Sequence, residues 1–511
     1  MILDRTWDKY EQKLTISYID KNGDRQFYQK YLHHIKTYEY DENGEYDTWN
    51  GRKCNKVYKD TVDYVPTEFD ILEYIYGLPD EVKNNFYAQN FPKLYTFDIE
   101  TEVSNEFPDP DLVKQKVTSI SLVGPDMSCI VYGTKNMSNE SISLFRKRYL
   151  DWIDNNEFAK SLIKGDKKPK VLFKYFDNET DLLIHFFTII VPKIACLAGW
   201  NSYLFDWRYL VNRLKKLIGE NAAKNILKKS SPINKVDKMK LSDNSNNSFY
   251  LPFPSHSKIL DYMEIIKQYD YILRPYESYS LDWVGSHAVN AHKIKYKGTL
   301  QQLWENDPEW YYFYNAIDSL IVLLIHYKLK SLESPCAVSS VTLVPLIDAM
   351  GQIALGNANI FYEFYLDNKK VVYNYNEIER RKKEFEGAFC GCVPGKYDFN
   401  VCSDFASLYP SQIQTCNFSF ENIVRKLEPH NIPGVPPIIR KWDEDELEKF
   451  RQDKNYFVSV NGNVYKNDKD YAFKKFQRRT KKSRDKYKYL GQKIDSELLV
   501  EIDRLINEKK K

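Results

Sequence analysis

Short apolar segments follow two different patterns along the chain. In residues 1–93 they are separated by turn sequences such as Lys21–Asp24 and Glu42–Gly44, which predicts short strands. Between Lys93 and about Lys330, apolar strands alternate with amphipathic segments. Such alternation is typical of an α/β domain, in which helices pack against a sheet.

Individual elements can be placed within this α/β region. The sequences KLYTFDIE and VTSISLVG, which begin at Lys93 and Val117, predict buried strands. Leu, Ile, Phe and Val recur with helical spacing in segments 181–194 and 207–217. The polar sequence at 241–248 predicts a surface loop between two elements.

The last third of the chain has a different pattern. Residues 335–385 are predicted to be mostly helical and end in a charged run. A Gly-rich turn region at 387–400 and a new strand at 400–405 follow. From about residue 441 the chain is highly charged, which predicts helix, with one turn at 461–470.

Length and composition indicate a globular protein of several domains. The 511 residues correspond to about three domains of ordinary size. No segment reaches the roughly 20 uninterrupted apolar residues of a membrane helix, and the charged N-terminal sequence is unlike a signal peptide. The scattered cysteines, including Cys390 and Cys392, are expected to be free thiols. We therefore expect a cytoplasmic protein without membrane contact.

Positive charge is concentrated at the C-terminal end. Residues 471–511 contain 14 Lys and Arg but only 6 Asp and Glu, although the whole chain has a net charge of +3. A basic segment of this kind indicates an anionic partner such as nucleic acid. On composition alone, the alternative is that these residues form a solvated helix face that binds no anionic partner.

The strand sequence YTFDIE places two carboxylates side by side. Side chains alternate between the two faces of a strand, so Asp98 and Glu100 share one face. Adjacent buried carboxylates repel each other and lose their hydration, and a divalent cation would offset both costs. For this pair alone, a solvated acidic face on an edge strand is the simpler alternative.

Two further acidic residues lie in apolar surroundings. Asp206 precedes an amphipathic segment, and Asp318 lies within WYYFYNAIDSLIVLLIHY. Tyr314 is four residues before Asp318 and is therefore its neighbour on one helical face. A buried Asp needs a partner. Because no Lys or Arg occurs between Trp310 and Tyr327, a metal ion is favoured over an ion pair.

Hydrolysis of a phosphodiester would suit such a cluster of carboxylates. Two Mg²⁺ ions about 4 Å apart can activate the attacking water and stabilise the leaving oxygen. Hard oxygen atoms are the ligands that Mg²⁺ prefers. The hydroxyl of Tyr314 would then orient the water, and a tyrosine of the core is the alternative for this residue.

The acidic segments resemble the exonuclease motifs of the family B DNA polymerases, especially the replicative polymerases of large tailed phages. FDIET resembles the first motif, and Asn201 with Phe205 and Asp206 resembles the second. Tyr314 with Asp318 resembles the third. The resemblance implies an RNase H-like 3′-5′ exonuclease fold, in which Asn201 holds the substrate strand. The implied ligands of two Mg²⁺ ions are Asp98, Glu100, Asp206 and Asp318.

SDFASLYPSQI resembles the first polymerase motif of the same family. The resemblance implies that Asp404 is a metal ligand at the end of a palm strand, which would be a half-site for one Mg²⁺ ion. Ser407, Leu408 and Tyr409 would form the turn that receives the incoming deoxynucleoside triphosphate, since exposed backbone N–H groups bind phosphate. Tyr409 would pack under the sugar. The upstream sequence EGAFCGCVPG resembles, more loosely, a loop that touches the template.

The basic segment FQRRTKKSRDKYKYLGQK resembles the first fingers helix of the family, in which an Arg and a Lys four residues apart contact the triphosphate. Arg478 and Lys482 have this spacing and share a helical face. Arg479 with Ser483 is a poorer match. Because nine of the fifteen residues 474–488 are Lys or Arg, other registers stay open.

The resemblance implies a mixed α/β chain that contains an N-terminal mixed β domain, the exonuclease domain and the start of a palm and fingers. The expected boundaries are 1–93 for the N-terminal domain, 94–335 for the exonuclease domain, 336–385 for a helical return to the N-terminal domain, 386–470 for a partial palm and 471–511 for the first part of the fingers.

Two motifs of the family are not found in the sequence, namely Lys-x-x-x-Asn-Ser-x-Tyr-Gly and the hairpin Tyr-Gly-Asp-Thr-Asp. Asp468 and Asp470 lie in a polar sequence that predicts a loop. Because phosphoryl transfer needs two palm carboxylates, we expect an N-terminal portion of a polymerase. The C-terminal half would be a second chain, or the reading frame would be truncated.

Primer–template and single-stranded DNA are the expected partners, together with deoxynucleoside triphosphates if the polymerase is completed. The cytoplasm of a phage-infected bacterium is the expected location. A stand-alone 3′-5′ exonuclease and a non-catalytic DNA-binding subunit are the alternative functions.

Overall fold

The computed structural model describes residues 1–102, 108–163, 165, 168–243, 247–372, 394–396, 398, 401, 407–427, 444–459 and 462–509. The strands are β1 Ile2–Asp8, β2 Lys13–Ile19, β3 Arg25–Tyr31, β4 His34–Tyr40, β5 Tyr46–Asp47, β6 Lys53–Asp60, β7 Leu94–Thr101, β8 Val117–Val123, β9 Cys129–Gly133, β10 Val171–Tyr175, β11 Cys196–Gly199, β12 Val236–Ser242, β13 Ser248–Pro254, β14 Lys258–Asp261, β15 Ile423–Lys426, β16 Tyr456–Val458 and β17 Asn463–Lys466. The α-helices are α1 Glu68–Tyr76, α2 Asp80–Tyr87, α3 Asn139–Asn155, α4 Glu157–Leu162, α5 Glu179–His185, α6 Asp206–Ile218, α7 Glu220–Lys229, α8 Tyr262–Tyr269, α9 Leu281–Val289, α10 Leu300–Asn306, α11 Pro308–Leu329, α12 Glu333–Thr342, α13 Gln352–Leu366, α14 Leu408–Cys416, α15 Glu444–Gln452 and α16 Ala472–Lys509.

Two compact units make up the described chain, and each combines two stretches of sequence. The first unit contains Met1–Leu32 and Gly77–Leu355, and the second contains His33–Tyr76 and Gly356–Lys511. Strands β4 to β6 and helix α1 are therefore grouped with the C-terminal part of the chain. The five boundaries expected from the sequence stay predictions.

A six-stranded mixed sheet forms the centre of the first unit. Its strand order is β10-β9-β8-β7-β11-β14. Strands β7, β8 and β9 are antiparallel neighbours, whereas β11 runs parallel to both β7 and β14. Every residue of β8 is buried, as expected for a strand that is covered on both faces. The predicted α/β pattern and its first two strands are confirmed.

Helices cover both faces of this sheet. Helix α6 packs with α5 and α7 against one face, and α11 packs with α3 and α9 against the other. Because it is enclosed by the sheet and by helices, α11 is apolar on almost all sides. The helix predicted at 207–217 is α6. The one predicted at 181–194 consists of α5, a π turn at Phe186–Ile190 and a 3₁₀ turn at Val191–Lys193.

The prediction of strands throughout residues 1–93 is wrong for helices α1 and α2. In α1, Ile71, Leu72 and Ile75 are buried with helical spacing. The many aromatic residues around them favour strands when they are counted by type. The burial of one helical face outweighs that preference, because tertiary packing supplies most of the stability of a short helix.

A short hairpin interrupts the charged region that was predicted to be helical. Strand β17 pairs with both β16 and β15 in the second unit. The prediction of helix is therefore wrong at β16, and the turn predicted at 461–470 contains strand β17. Helices α15 and α16 agree with it. The strand expected at 400–405 and most of the Gly-rich turn at 387–400 lie outside the described residues. In the described chain, no helix is both long and apolar enough to cross a membrane.

A buried polar network connects β1 and β2 to the turn before β14. The backbone N–H of His256 donates to the carboxylate of Asp4 at 2.6 Å, and Lys258 pairs with the same carboxylate at 2.7 Å. The imidazole nitrogens contact the hydroxyls of Thr6 at 3.0 Å and Ser17 at 2.7 Å. Burial lowers the pKa of His256 to about 4, an effect larger than the opposing attraction of Asp4.

We expect His256 to contribute stability that is lost between pH 6.5 and pH 4. The unfolded chain binds a proton at the ordinary histidine pKa of 6.5, whereas the folded chain binds it only near pH 4. Acidification through this window therefore removes up to about 3 kcal/mol of the free energy of unfolding. Over this window the thermal midpoint of the wild-type protein should decrease relative to that of His256→Asn, since Asn does not titrate and tolerates the φ of 64°.

His34→Asn is the matched control, because His34 is exposed on β4. This variant should keep the pH dependence of the wild-type protein. The same change of midpoint with pH in the wild-type and His256→Asn proteins would contradict the role given to the buried imidazole.

Candidate metal centre

Strand β7 presents two acidic side chains on one face. Phe97 and Ile99 are buried on the other face, while Asp98 and Glu100 are partly exposed. Strand β7 lies between β8 and β11, in the interior of the sheet. The alternative of a solvated acidic face on an edge strand is therefore wrong.

Helix α11 is held against β7 and β8 by hydroxyl groups of the sheet. The hydroxyl of Thr96 donates to the carbonyl of Ser319 at 2.7 Å. The hydroxyl of Ser119 donates to the side-chain oxygen of Asn315 at 2.6 Å. The amide nitrogen of Asn315 donates in turn to Oδ2 of Asp98 at 2.8 Å. These bonds fix both the position of the helix and the orientation of one carboxylate.

Three carboxylates meet between β7 and α11. Oxygen atoms of Asp98, Glu100 and Asp318 all lie within 4.8 Å of one another. Burial raises the pKa of Asp98 well above its ordinary value, and the charges of the neighbouring carboxylates add to the effect. Burial, reinforced by Asp318, raises the pKa of Glu100 to about 8. The group therefore attracts positive charge strongly.

Asp206 joins this group from the other side of β7. It is the first residue of α6 and is 3% exposed. Burial raises its pKa to about 7, opposed by hydrogen bonds from its own backbone N–H and from that of Ile99. Because Ile99 lies between Asp98 and Glu100 on β7, this bond places Asp206 beside the strand, and its charge raises the pKa of Asp98. The structure thus brings all four predicted carboxylates around β7.

Asp261 holds the loop that precedes Asp206, and it was not predicted from the sequence. Its carboxylate accepts hydrogen bonds from the backbone N–H groups of Asn201 and Tyr203, each at 3.1 Å. It also caps helix α8 by accepting from Met263 at 3.1 Å. Asn201 adopts a φ of 61°, which Asn tolerates better than most residues. The sequence signal that could have identified Asp261 is its position as a helix cap.

Lys293 is the second residue of the site that the sequence did not reveal. Its ammonium group lies 2.6 Å from Oδ2 of Asp318 and 3.5 Å from the hydroxyl of Tyr314. The backbone N–H of Lys293 donates to Asp282 at 2.8 Å. The ion pair, the less favoured alternative for Asp318, is therefore present, because its cationic partner comes from the segment between α9 and α10 and not from α11 itself.

Tyr314 is half-buried beside this ion pair. Burial raises its pKa, and the charge of Asp318 adds to the effect, so the hydroxyl stays protonated and can donate a hydrogen bond. The ring of Tyr296 packs edge-on against it at 5.6 Å. This environment differs from that of an ordinary core tyrosine, because the hydroxyl lies among charged groups.

The donor set fits a divalent cation although Lys293 is present. Oδ1 of Asp318 is buried and has no hydrogen-bond partner within the described part of the chain. One lysine cannot neutralise several carboxylates, and carboxylate oxygens are ligands of hard cations. Asp98, Glu100 and Asp318 would hold such an ion with Asp206 nearby. A bound ion would supply an activated water and neutralise negative charge at phosphate.

The residues of the polymerase-like motif lie in the second unit. Ser407 has a φ of 56° and directly precedes α14. Leu408 and Tyr409, the first residues of that helix, are 42% and 75% exposed. Asp404 lies outside the described residues, so its position relative to this turn stays a prediction.

The two candidate pairs on α16, Arg478 with Lys482 and Arg479 with Ser483, begin with arginines that have different surroundings. Arg478 forms an ion pair with Asp470, and Lys482 is exposed without an ion-pair partner in the described ranges. Arg479 pairs at 2.9 Å with the buried carboxylate of Glu363 and lies over the ring of Tyr362. The side chain of Arg479 thus packs against α13.

Comparison with known proteins defines the domain that contains the centre. Residues 60–284 match the family described as DNA polymerase family B, exonuclease domain. This range includes Asp98, Glu100 and Asp206, and Asp318 lies beyond it.

Relatives from phages and an archaeon extend this similarity. The DNA-directed DNA polymerase of Escherichia phage RB69 is 27% identical over 74% of this chain and 40% of its own length. The DNA-directed DNA polymerase of Enterobacteria phage T4 is 28% identical over 68% of this chain and 37% of its own length. DNA polymerase 1 of Sulfolobus acidocaldarius is 25% identical over 65% of this chain and 35% of its own length.

The sheet, the acidic centre and the match together define an exonuclease domain with an RNase H-like fold. Residues 60–284 match the exonuclease domain of the family B DNA polymerases, and the chain is similar to two phage DNA-directed DNA polymerases over 74% and 68% of its length. The resemblance drawn from the sequence motifs is confirmed at this level. The chain spans about 40% of the length of the curated relatives it matches.

Proposed function

We propose that this chain is a 3′-5′ exonuclease that proofreads DNA synthesis as part of a family B DNA polymerase in DNA replication. The observation that carries the proposal is the group of carboxylates whose oxygens lie within 4.8 Å of one another. It is found within a family whose exonuclease domains depend on divalent metal ions. The proposed ion is Mg²⁺, and the proposed ligands of two such ions are Asp98, Glu100, Asp206 and Asp318.

The other residues of the centre have proposed roles that follow from their contacts. Asn315 orients Asp98 through its amide nitrogen. Lys293 balances part of the charge on Asp318 and lies near the hydroxyl of Tyr314. The protonated hydroxyl of Tyr314 donates to a water or to a phosphate oxygen. Asn201, in the loop just before α6, binds the substrate strand.

Combined replacement Asp98→Ala and Glu100→Ala should abolish degradation of single-stranded DNA from its 3′ end. The two carboxylates of β7 are half of the proposed ligands of the two ions, so the variant should no longer hold the ions in place. The measurement is the shortening of a 5′-labelled oligonucleotide with Mg²⁺, compared with the same reaction in EDTA. Degradation at the wild-type rate by the double variant would contradict the site assignment.

Thermal unfolding in EDTA separates loss of the site from loss of the fold. Removing two crowded carboxylates relieves their repulsion, so the midpoint of the double variant should be equal to or above that of the wild-type protein. Asp154→Ala, at an exposed position of α3, is the matched control and should change neither activity nor midpoint.

Lys293→Ala should lower kcat about 10–100-fold, as replacement of a residue that orients a metal ligand commonly does. Loss of the ammonium group also removes a cation that competes for Asp318, so half-maximal activation should need less Mg²⁺. The measurement is the rate against Mg²⁺ concentration. Lys295→Ala, at an exposed position two residues away, is the control and should behave as the wild type.

Lys293→Arg should recover part of the lost rate, since it restores the charge. A fall in kcat accompanied by a higher requirement for Mg²⁺ would contradict competition between Lys293 and the ion.

The second unit supports a further proposal, that of a partial nucleotide-addition site. The exposed turn at Ser407, Leu408 and Tyr409 is proposed to receive a deoxynucleoside triphosphate on a primer–template. The basic residues proposed to contact its phosphates are Arg478 and Lys482, and the proposed ligand of one Mg²⁺ ion is Asp404. Since two-ion phosphoryl transfer needs a second carboxylate, we propose that a C-terminal polymerase half completes this site as a second chain. The proposed location is the cytoplasm of a phage-infected bacterium.

Primer extension tests this second proposal. The chain alone should add no nucleotide to a primer, because one carboxylate does not hold both ions. Addition of a C-terminal polymerase half should produce extension that Asp404→Ala removes. Extension by the chain alone would contradict the proposed need for a partner, and failure of extension with every partner would favour a stand-alone exonuclease.

A further inference from the structure

A groove of about 1010 Å³ lies in the first unit, between the turn that connects β1 to β2, helix α7 and the start of β12. It is separate from the metal centre. Asp206 begins α6, whereas Lys215, near the other end of the same helix, lines the groove. Nine residues of helix correspond to about 13 Å. The groove is therefore available to a ligand that does not reach the carboxylates.

Positive charge predominates in this groove. Seven lysines and three acidic residues line it. Two of the acidic residues are paired with lysines, Glu11 with Lys13 and Glu220 with Lys215. The third, Asp8, accepts hydrogen bonds from backbone N–H groups of the β1–β2 turn. The acidic groups are thus already engaged.

Five of the lysines have no ion-pair partner in the part of the chain that the structure describes, and one of these, Lys235, donates to the backbone carbonyl of Trp7. The other four have no such contact among the described residues. They line the groove from the β1–β2 turn, from α7 and from β12, and all are exposed. Cations that line one concave surface repel each other, and a bound polyanion removes that repulsion and releases its own counterions. The four are Lys9, Lys224, Lys228 and Lys238.

Exposed aromatic rings stand among these lysines. Tyr10, in the β1–β2 turn, is 98% exposed, and Tyr250, on β13, is 66% exposed. Both line the groove. Bases of a single strand stack on rings of this kind, while a basic groove follows the phosphates. Paired bases cannot stack on a protein side chain in the same way, so a single strand suits the groove better than a duplex.

We propose that this groove binds a single strand of nucleic acid. Lys224, Lys228 and Lys238 contact its phosphates, and Tyr10 and Tyr250 stack against its bases. Binding needs no free 3′ end, because the groove does not include the metal centre. The inference is independent of the proposed exonuclease activity.

The test uses a closed single-stranded DNA circle, which has no end that could enter an exonuclease site. Binding of the labelled circle to the full chain is measured in EDTA by fluorescence anisotropy at several salt concentrations. Lys224→Glu combined with Lys228→Glu should raise Kd at least about tenfold near 0.1 M salt. The slope of log Kd against log salt should fall by about 1.4, since each lost phosphate contact on a single strand contributes about 0.7.

Tyr250→Ala tests the stacking contact separately. It should raise Kd at least about fivefold while leaving the salt dependence unchanged, because a neutral ring releases no counterions. An altered salt slope with unchanged affinity would contradict the stacking role.

Lys147→Glu combined with Lys160→Glu is the charge-matched control. These exposed residues lie on α3 and α4, which pack against the opposite face of the sheet from α7. The control should bind the circle as the wild type does. Equal losses in the two double variants would show an effect of net charge alone and would overturn the proposal, as would unchanged binding after replacement of the groove lysines.

An RNA circle of the same sequence distinguishes the two possible ligands. Equal affinity would show that the groove uses only phosphates and bases, and a preference for one circle would identify its sugar as a further contact. Failure of the wild-type chain to bind either circle would overturn the proposal. The Asp98→Ala and Glu100→Ala double variant should still bind the circle, which separates this groove from the proposed exonuclease.

Discussion

The position of helix α11 on strands β7 and β8 is the constraint on which the metal centre depends. The helix has 22 residues and is apolar on almost all sides, and apolar contacts alone have no preferred direction. Hydrogen bonds from Thr96 and Ser119 to the helix do have one. A shift by one turn would leave these buried groups unpaired, at a cost of about 1–3 kcal/mol each. Polar contacts in the core therefore determine that Asp318 meets Asp98 and Glu100.

The same packing produces a local electrostatic cost. Buried carboxylates that lie close together raise the pKa values of one another, which means that their ionised forms are unfavourable without a counter-charge. The two oxygens of Asp318 differ in how this electrostatic cost is offset. One of its oxygens is paired with Lys293, and the other is buried without a partner among the residues described. A lysine can thus pair with one oxygen of the carboxylate while the other oxygen is left for a metal ion, and each positive charge weakens the attraction of Asp318 for the other.

The sequence predicted the residues of this centre better than it predicted what surrounds them. The period of two in β7 and the presence of Asp318 in an apolar helix are local features, which a single sequence displays. Lys293 is 25 residues from Asp318 and lies among other lysines, so nothing local marks it as the partner. The helix α1 was missed because residue type favoured strand while burial favoured helix. For Asp404 the motif is clear in the sequence, but the residue lies outside the described residues, so its position in the fold is still a prediction.

Helix α6 determines how the metal centre and the basic groove relate within the first unit. Its first residue is Asp206, and Lys215 near its end lines the groove. Between them the helix is anchored by a buried ion pair of Arg213 with Glu179 at 2.7 Å, which is costly to break. The two sites are therefore held at a fixed separation. A strand bound in the groove would stay bound while its free end was shortened, because removal of terminal nucleotides leaves the contacts to internal phosphates and bases intact.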